Sequence, residues 1–190
     1  MSDETFREHA DDASFASSKQ KTGQSDGLEH DAVVARAVTI NRPVGEVFAY
    51  FRDVTNLPSF MENVERIEIL DEKRSHWVVK APARQTVEWT AVITDEVPDR
   101  LIAWTSEPGA DVDNSGRVTF RDAGARGTVV TATIAYDPPG GTIGKIIAKM
   151  FQREPAIQAR RDLRRFKQLM ETGEIATAAM NAKQFAEENN

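Results

Sequence analysis

Few side chains in this 190-residue sequence could perform chemistry. It has no cysteine and three histidines, His9, His30 and His76. Without cysteine it can form no disulfide, thiolate nucleophile, iron–sulfur cluster or thiolate-ligated zinc site. His9 and His30 lie in the acidic N-terminal stretch, so a catalytic triad or a histidine-ligated metal would depend on His76. This residue precedes Trp77 on a predicted strand, and an inward Trp77 places His76 on the outer face, which is typical of a surface histidine.

The carboxylates and glycines offer little more. Acid–base catalysis would need a carboxyl group inside a cavity, and Glu88 is the candidate. It adjoins Trp89, so its parity favours the solvated face of the sheet. Residues 140–144 (GGTIG) could form an anion loop, but they lack the spacing of a phosphate-binding lysine, and a turn before a helix explains them. We therefore predict no catalytic residue, no metal site and no cofactor.

Aromatic residues form the most informative pattern. The three tryptophans fall on three successive predicted strands, with a parity that lets all of them face the same side. One interpretation is the wall of an apolar pocket, and the other is ordinary core. Buried indole and phenol groups need hydrogen-bond partners, which favours a pocket. The predicted ligand-binding residues are Trp77, Trp89, Trp104, Phe120, Tyr136, Phe60, Met61, Met150 and Phe151.

These residues must be positioned by a sheet and a long helix. Short runs with alternating or β-branched residues predict strands at 33–40, 64–70, 76–81, 86–97, 101–106, 117–121 and 128–136. Helical spacing predicts a short helix over 43–52, with Asn41 as a cap, and Asp53 can cap a further turn. A long helix starts near Thr142, is interrupted at Pro155 and ends at Gly173. One apolar sheet face packed on a helix indicates an α+β fold.

Charge divides the chain into three parts. The net charge is −6, and residues 1–31 hold eight acidic and three basic residues. This segment is too polar to bury a core, so we expect a disordered acidic tail at 1–31, a domain at 32–173 and a flexible tail at 174–190. No run of about 18 apolar residues exists to span a membrane. The acidic start is unlike a signal peptide, so we expect a cytoplasmic protein.

A basic patch lies on the predicted C-terminal helix. Residues 142–172 carry eight basic and three acidic residues. By helical spacing Arg160, Arg164 and Lys167 share one face, while Arg161 and Arg165 share a neighbouring one. The patch could attract anionic lipid headgroups or RNA phosphates, or could be a solvated face near a helix C-terminus. We do not expect nucleic acid, and we keep peripheral contact with an anionic membrane as an alternative.

Several local strings, in this order of elements, resemble a known family. They are DVTNLPSFM (53–61), SHW (75–77), VEW (87–89), IAWTS (102–106), GRVTF (116–120), YDPPG (136–140) and DLRRFK (162–167). Over residues 33–175 the chain resembles the START-like, helix-grip superfamily SRPBCC, in its polyketide cyclase/dehydrase and coenzyme Q-binding branch. The turn at 81–84 departs from the pattern, since a glycine is expected there.

The resemblance implies a fold and a class of function. The fold is a bent antiparallel sheet of about seven strands wrapped around a long C-terminal helix, with two short helices after the first strand. The favoured function is binding or carriage of a small hydrophobic molecule, such as a lipid, quinone or polyketide-like compound, in an internal cavity. The alternatives are a polyketide cyclase or dehydratase, which would act largely by holding its substrate in shape, and an interaction protein acting through the basic helix.

Overall fold

A curled antiparallel sheet and a C-terminal helix form the body of the protein. The computed structural model describes residues 32–81, 84–137 and 155–175. The elements, in chain order, are β1 (Ala32–Ile40), α1 (Val44–Arg52), a 3₁₀ helix (Val54–Ser59), β2 (Val64–Ile69), β3 (Arg74–Ala81), β4 (Gln85–Val97), β5 (Leu101–Ser106), β6 (Asp113–Asp122), a single 3₁₀ turn (Gly124–Arg126), β7 (Thr128–Asp137) and α2 (Pro155–Thr172). No described helix is long and apolar enough to cross a membrane.

The seven strands form one sheet in the order β1-β7-β6-β5-β4-β3-β2. Every neighbouring pair is antiparallel, and β1 and β2 lie at the two edges. Residues 41–63, which include α1 and the 3₁₀ helix, cross from one edge to the other, and α2 packs against β1 and the inner face. The α+β helix-grip fold predicted from the sequence is therefore confirmed.

Strand β6 begins four residues before its predicted start. The sequence predicted 117–121, whereas the strand covers Asp113–Asp122. Asp113, Asn114 and Gly116 have low strand propensity, but each is paired across the sheet with β7, at Asp137, Tyr136 and Ile134 respectively. Pairing with β7 therefore overrides the low strand propensity of these β6 residues.

The helix ends follow local rules, with one exception. The Asp53 carboxylate accepts a hydrogen bond from the Thr55 backbone N–H (3.1 Å), which confirms it as the cap of the 3₁₀ helix. Gly173, at φ 76°, ends α2 through a hydrogen bond from its N–H to Leu169 O. The prediction that Asn41 caps α1 is wrong, because Pro43 occupies that position and makes no side-chain cap.

Phenylalanines fill the end of the molecule where α1, the 3₁₀ helix and α2 meet the sheet. Phe60 stacks on Phe166 with 4.6 Å between ring centroids, and Phe51 meets Phe166 edge-on at 5.8 Å. Phe120 of β6 meets Phe48 and Phe51 at 5.3 and 5.8 Å. Edge-to-face and offset contacts at these distances are the favoured aromatic geometries. This cluster anchors both helices to the sheet.

Candidate functional site

A cavity of about 240 Å³ lies between the inner face of the sheet and α2. It is mostly apolar and is lined by residues from the six strands β2 to β7, from α1, from the 3₁₀ helix and from α2. The lining residues in the described part of the chain are Phe51, Arg52, Val54, Leu57, Met61, Asn63, Val64, Ser75, Trp77, Val79, Trp89, Ala91, Ile93, Ile102, Trp104, Val112, Asn114, Val118, Ala132, Ile134, Gln158, Ala159, Asp162 and Leu163.

All three tryptophans of the chain line this cavity. Trp77 of β3 and Trp89 of β4 lie directly opposite each other in the sheet. Their rings stack with centroids 5.9 Å apart and an interplanar angle of 13°. Trp104 reaches the same space from β5, opposite Gly116 of β6. The strand parity therefore placed the tryptophans on the correct face, because directly paired residues project to the same side.

Two polar residues that the sequence analysis missed hold the tryptophan rings. The indole N–H of Trp77 donates to Ser75 Oγ (2.9 Å), and that of Trp104 donates to Asn114 Oδ1 (3.3 Å). Asn114 is itself fixed, since its side-chain amide donates to Val112 O (3.1 Å). Ser75 lies two residues before Trp77 and so on the same strand face, a spacing that could have identified it.

The other predicted binding residues divide into three groups. Met61 lines the cavity. Phe60 and Phe120, with 1% and 4% exposure, lie instead in the phenylalanine cluster and do not appear among the described lining residues. Tyr136 pairs with Asn114 through its backbone, but its side chain lies outside the part of the chain that the structure describes. Met150 and Phe151 also lie outside the described residues.

Asp162 of α2 is a half-buried carboxyl group in the cavity wall. Burial raises the pKa of Asp162 to about 6. Hydrogen bonds from Gln158 Nε2 (2.9 Å) and the Glu62 backbone N–H, together with the nearby charge of Arg165, favour the ionised form and limit this rise. Asp162 follows Ala159 by three residues and precedes Phe166 by four. This helical spacing on the apolar face was the signal that could have found it.

His76 and Glu88 lie on the outer face, away from the cavity. His76 Nε2 is 3.3 Å from Glu88 Oε2, across the β3–β4 pair. Their neighbours Trp77 and Trp89 line the cavity, so alternation puts the histidine and the glutamate on the opposite side. Within the described residues, no three histidine or carboxylate side chains are grouped as a metal site would require.

The basic residues of α2 are partly used within the protein. Arg161 and Arg165 approach Glu62 at 3.8 and 3.5 Å. Lys167 donates to Glu171 Oε1 (2.6 Å) and to Thr39 O (2.7 Å), and thereby joins α2 to β1. Arg160, Arg161 and Arg164 are exposed, whereas Arg165 and Lys167 are half-buried. Lys167, predicted to share one surface with Arg160 and Arg164, is thus tied to the edge of the sheet.

Residues 40–164 match the family described as polyketide cyclase/dehydrase and lipid transport. The chain belongs to this family. A curated relative, an uncharacterized 17.2 kDa protein of Streptomyces lincolnensis, is 30% identical over 139 residues, which cover 73% of this chain and 89% of that protein.

Solved structures share the fold of this family member. A crystal structure of a Deinococcus radiodurans protein is 43% identical, covers 75% of this chain and 100% of its own, and has a TM-score of 0.61. The Zhui aromatase/cyclase of Streptomyces sp. R1128 is 18% identical, with coverage of 76% and 99% and a TM-score of 0.60, a likeness of fold alone. The family match confirms the polyketide cyclase/dehydrase resemblance seen in the sequence.

Proposed function

We propose that this protein binds a small hydrophobic molecule in the cavity between the sheet and α2. The observation that carries the proposal is a space of about 240 Å³ walled by Trp77, Trp89 and Trp104. Protein interiors are ordinarily close-packed, so a void of this size beside three large aromatic rings is unusual as plain core. Ligand sites characteristically combine an apolar wall with a few oriented polar groups.

The distribution of polar groups supports an apolar ligand with few heteroatoms. Asn114 and Ser75 occupy the sheet side, and Asp162 and Gln158 occupy the helix side. The indole N–H groups of Trp77 and Trp104 already have partners, so their rings offer mainly apolar surface. A lipid, quinone or polyketide-like compound fits this description.

Two alanines provide a matched test of cavity binding. Ala91 lines the cavity, whereas Ala103 lies between the cavity residues Ile102 and Trp104 and therefore faces outward. We expect Ala91→Leu to fill the cavity and weaken binding of the uncharged fluorescent probe N-phenyl-1-naphthylamine by about tenfold or more. Ala103→Leu should leave the affinity unchanged. Equal probe affinity in both variants and the wild type would show that the probe does not occupy this cavity.

Native mass spectrometry of the purified protein complements the probe titration. A bound molecule released on unfolding would identify the ligand class directly. Trp89→Ala and Trp104→Ala should lose both the co-purified molecule and the probe. Such truncations cost roughly 3–5 kcal/mol of stability in a core, so each variant is first checked for cooperative unfolding.

Asp162 favours a second candidate, a cyclase or dehydratase acting on a polyketide-like chain. A carboxyl group with a pKa of about 6 inside an apolar cavity can both accept and donate a proton near neutral pH. The walls would supply proximity catalysis by folding the chain. Asp162→Asn should preserve probe binding but abolish conversion of a poly-β-ketone thioester, followed by mass spectrometry. Absence of conversion by the wild type, with the probe still bound, would leave binding alone as the function.

A further inference from the structure

An open groove of about 770 Å³ lies on the outside of the molecule, between α1 and the turn that joins β2 to β3. Four described residues line both this groove and the inner cavity: Arg52, Val54, Ser75 and Ile93. At this point the cavity and the outside are therefore separated by a wall one side chain thick. Val54, Ser75 and Ile93 have short side chains, and the long side chain in the wall is that of Arg52.

Arg52 is held across this wall by two contacts. Its Nε lies 2.8 Å from Glu96 Oε2 on β4, and its Nη2 donates to the Glu72 carbonyl in the β2–β3 turn (3.1 Å). The side chains of Arg52 and Glu96 are 34% and 31% exposed. The end of α1 is thus tied to the facing strand and turn by a pair that solvent can reach, and water competes with such a pair.

An irregularity in β4 places Glu96 where it can meet Arg52. Ile93 pairs with Trp104 and Asp95 pairs with Ala103, so β4 has one extra residue, Thr94, relative to β5. After this bulge Glu96 pairs with Ile102, a buried residue of the cavity wall. Strict alternation from Ile93 would turn Glu96 to the outer face. Bulges commonly redirect side chains in this way beside functional sites.

We propose that Arg52 is the gate of the cavity and that ligands pass between the cavity and the outer groove when the Arg52–Glu96 pair opens. The inference rests on the proposed function in so far as a ligand uses the passage. Three observations support the passage itself: the wall shared by the cavity and the groove, the two contacts of Arg52, and the bulge that places the Glu96 carboxylate beside Arg52. A gate slows or speeds entry and exit together, so the ratio of the two rates, and with it the affinity, changes little.

The chain has no cysteine, so a thiol-specific cross-linker reacts only with cysteines introduced by substitution. In the double variant Arg52→Cys/Glu96→Cys, a short bis-maleimide that contains a reducible disulfide would bridge the gate. We expect this cross-link to slow both association and dissociation of N-phenyl-1-naphthylamine by about tenfold or more, with the dissociation constant changed by less than about twofold. Reduction of the linker should restore both rates. Unchanged rates in the locked protein would overturn the proposal.

A second pair of facing side chains provides the matched control. His76 on β3 lies 3.3 Å from Glu88 on β4, and these two residues line neither the cavity nor the groove. The same cross-link in His76→Cys/Glu88→Cys should leave the exchange rates unchanged. Without any cross-link, Arg52→Gln should raise both rates by about two- to fivefold at low salt, the range expected for loss of an exposed ion pair.

Tryptophan fluorescence tests the gate without a ligand. All three tryptophans line the cavity, so collisional quenching by acrylamide reports access to that space. Quenching should decrease in the locked Arg52→Cys/Glu96→Cys protein and recover on reduction. If the wild type binds no probe at all, the proposed function fails, and quenching still decides the gate. A quenching constant that is the same in the locked and reduced forms would refute it.

Discussion

Gly116 on β6 provides a sharp test of how the cavity wall is built. A Cβ atom at this position would lie 2.4 and 2.7 Å from ring carbons of Trp104 and 2.8 Å from the Thr133 carbonyl oxygen. Favourable contacts between heavy atoms are roughly 3.5–4.0 Å long, so the Trp104 ring and the β7 backbone would have to move by about 1 Å. Gly116 is therefore the residue that gives the Trp104 ring its place against the sheet.

We expect Gly116→Ala to lower the free energy of unfolding by about 1–3 kcal/mol, the usual cost of overpacking a well-packed site. Displacement of the Trp104 ring also stretches its hydrogen bond to Asn114, already 3.3 Å long, and an intramolecular hydrogen bond contributes about 1 kcal/mol. The ring can move only toward the cavity, since the strand backbone lies behind it. Affinity for N-phenyl-1-naphthylamine should therefore fall as well.

Gly45 in α1 supplies a control of opposite sign. A Cβ atom there would have as its nearest neighbour Asp99 Oδ1 at 3.7 Å, an ordinary contact. Gly45→Ala should therefore stabilise the protein by about 0.5–1 kcal/mol, the normal gain of alanine over glycine in a helix. Urea unfolding followed by circular dichroism measures both variants. A Gly116→Ala protein as stable as the wild type, with an unchanged near-ultraviolet tryptophan spectrum, would refute the packing argument.

Two further predictions concern α2. The pKa of Asp162 is raised from 3.8 to about 6 in the folded protein. Between these pH values the native state therefore binds more protons than the unfolded chain. The contribution of Asp162 to stability is thus lost as pH rises from about 4 to about 6. Relative to Asp162→Asn, the wild type should lose at most about 3 kcal/mol in its free energy of unfolding over this pH range. Urea unfolding at each pH measures this loss, and parallel curves of stability against pH for the two proteins would contradict the assigned pKa. Arg42 donates to the Met170 and Glu171 carbonyls at the end of α2 (2.8 and 3.1 Å), so Arg42→Ala should cost about 1 kcal/mol in thermal or urea unfolding. The control is Arg36→Ala, because this exposed arginine of β1 donates, within the described residues, to the neighbouring Ala35 carbonyl alone. An equal loss in both variants would argue against the capping role.

Most of the sheet could be predicted because alternation is a local property. Trp89 lies between Glu88 and Thr90, and Trp104 lies between Ala103 and Thr105, so the inner face follows from the strand period of two. The same rule placed His76 and Glu88 outside. The start of β6 could not be found this way, because it is fixed by pairing with β7 and not by the strand preference of its own residues.

Parity gives the face of a side chain but not its depth along the strand. Phe120 has the inward parity of the cavity residues, yet it lies where α1 approaches the sheet and so belongs to the phenylalanine cluster. Phe60 lies in the same cluster because the 3₁₀ helix presents it to Phe166. Which apolar residues fill the core and which line an empty space depends on where the helices cross, and that is a long-range property.

The sequence by itself thus determined the order of elements, the aromatic face of the sheet and the family. Only the tertiary structure decided the chemistry of the cavity. The high pKa of Asp162 arises from burial against the sheet, which composition cannot report. The Arg52–Glu96 contact depends on one extra residue in β4, because a single bulge inverts the parity of every residue beyond it.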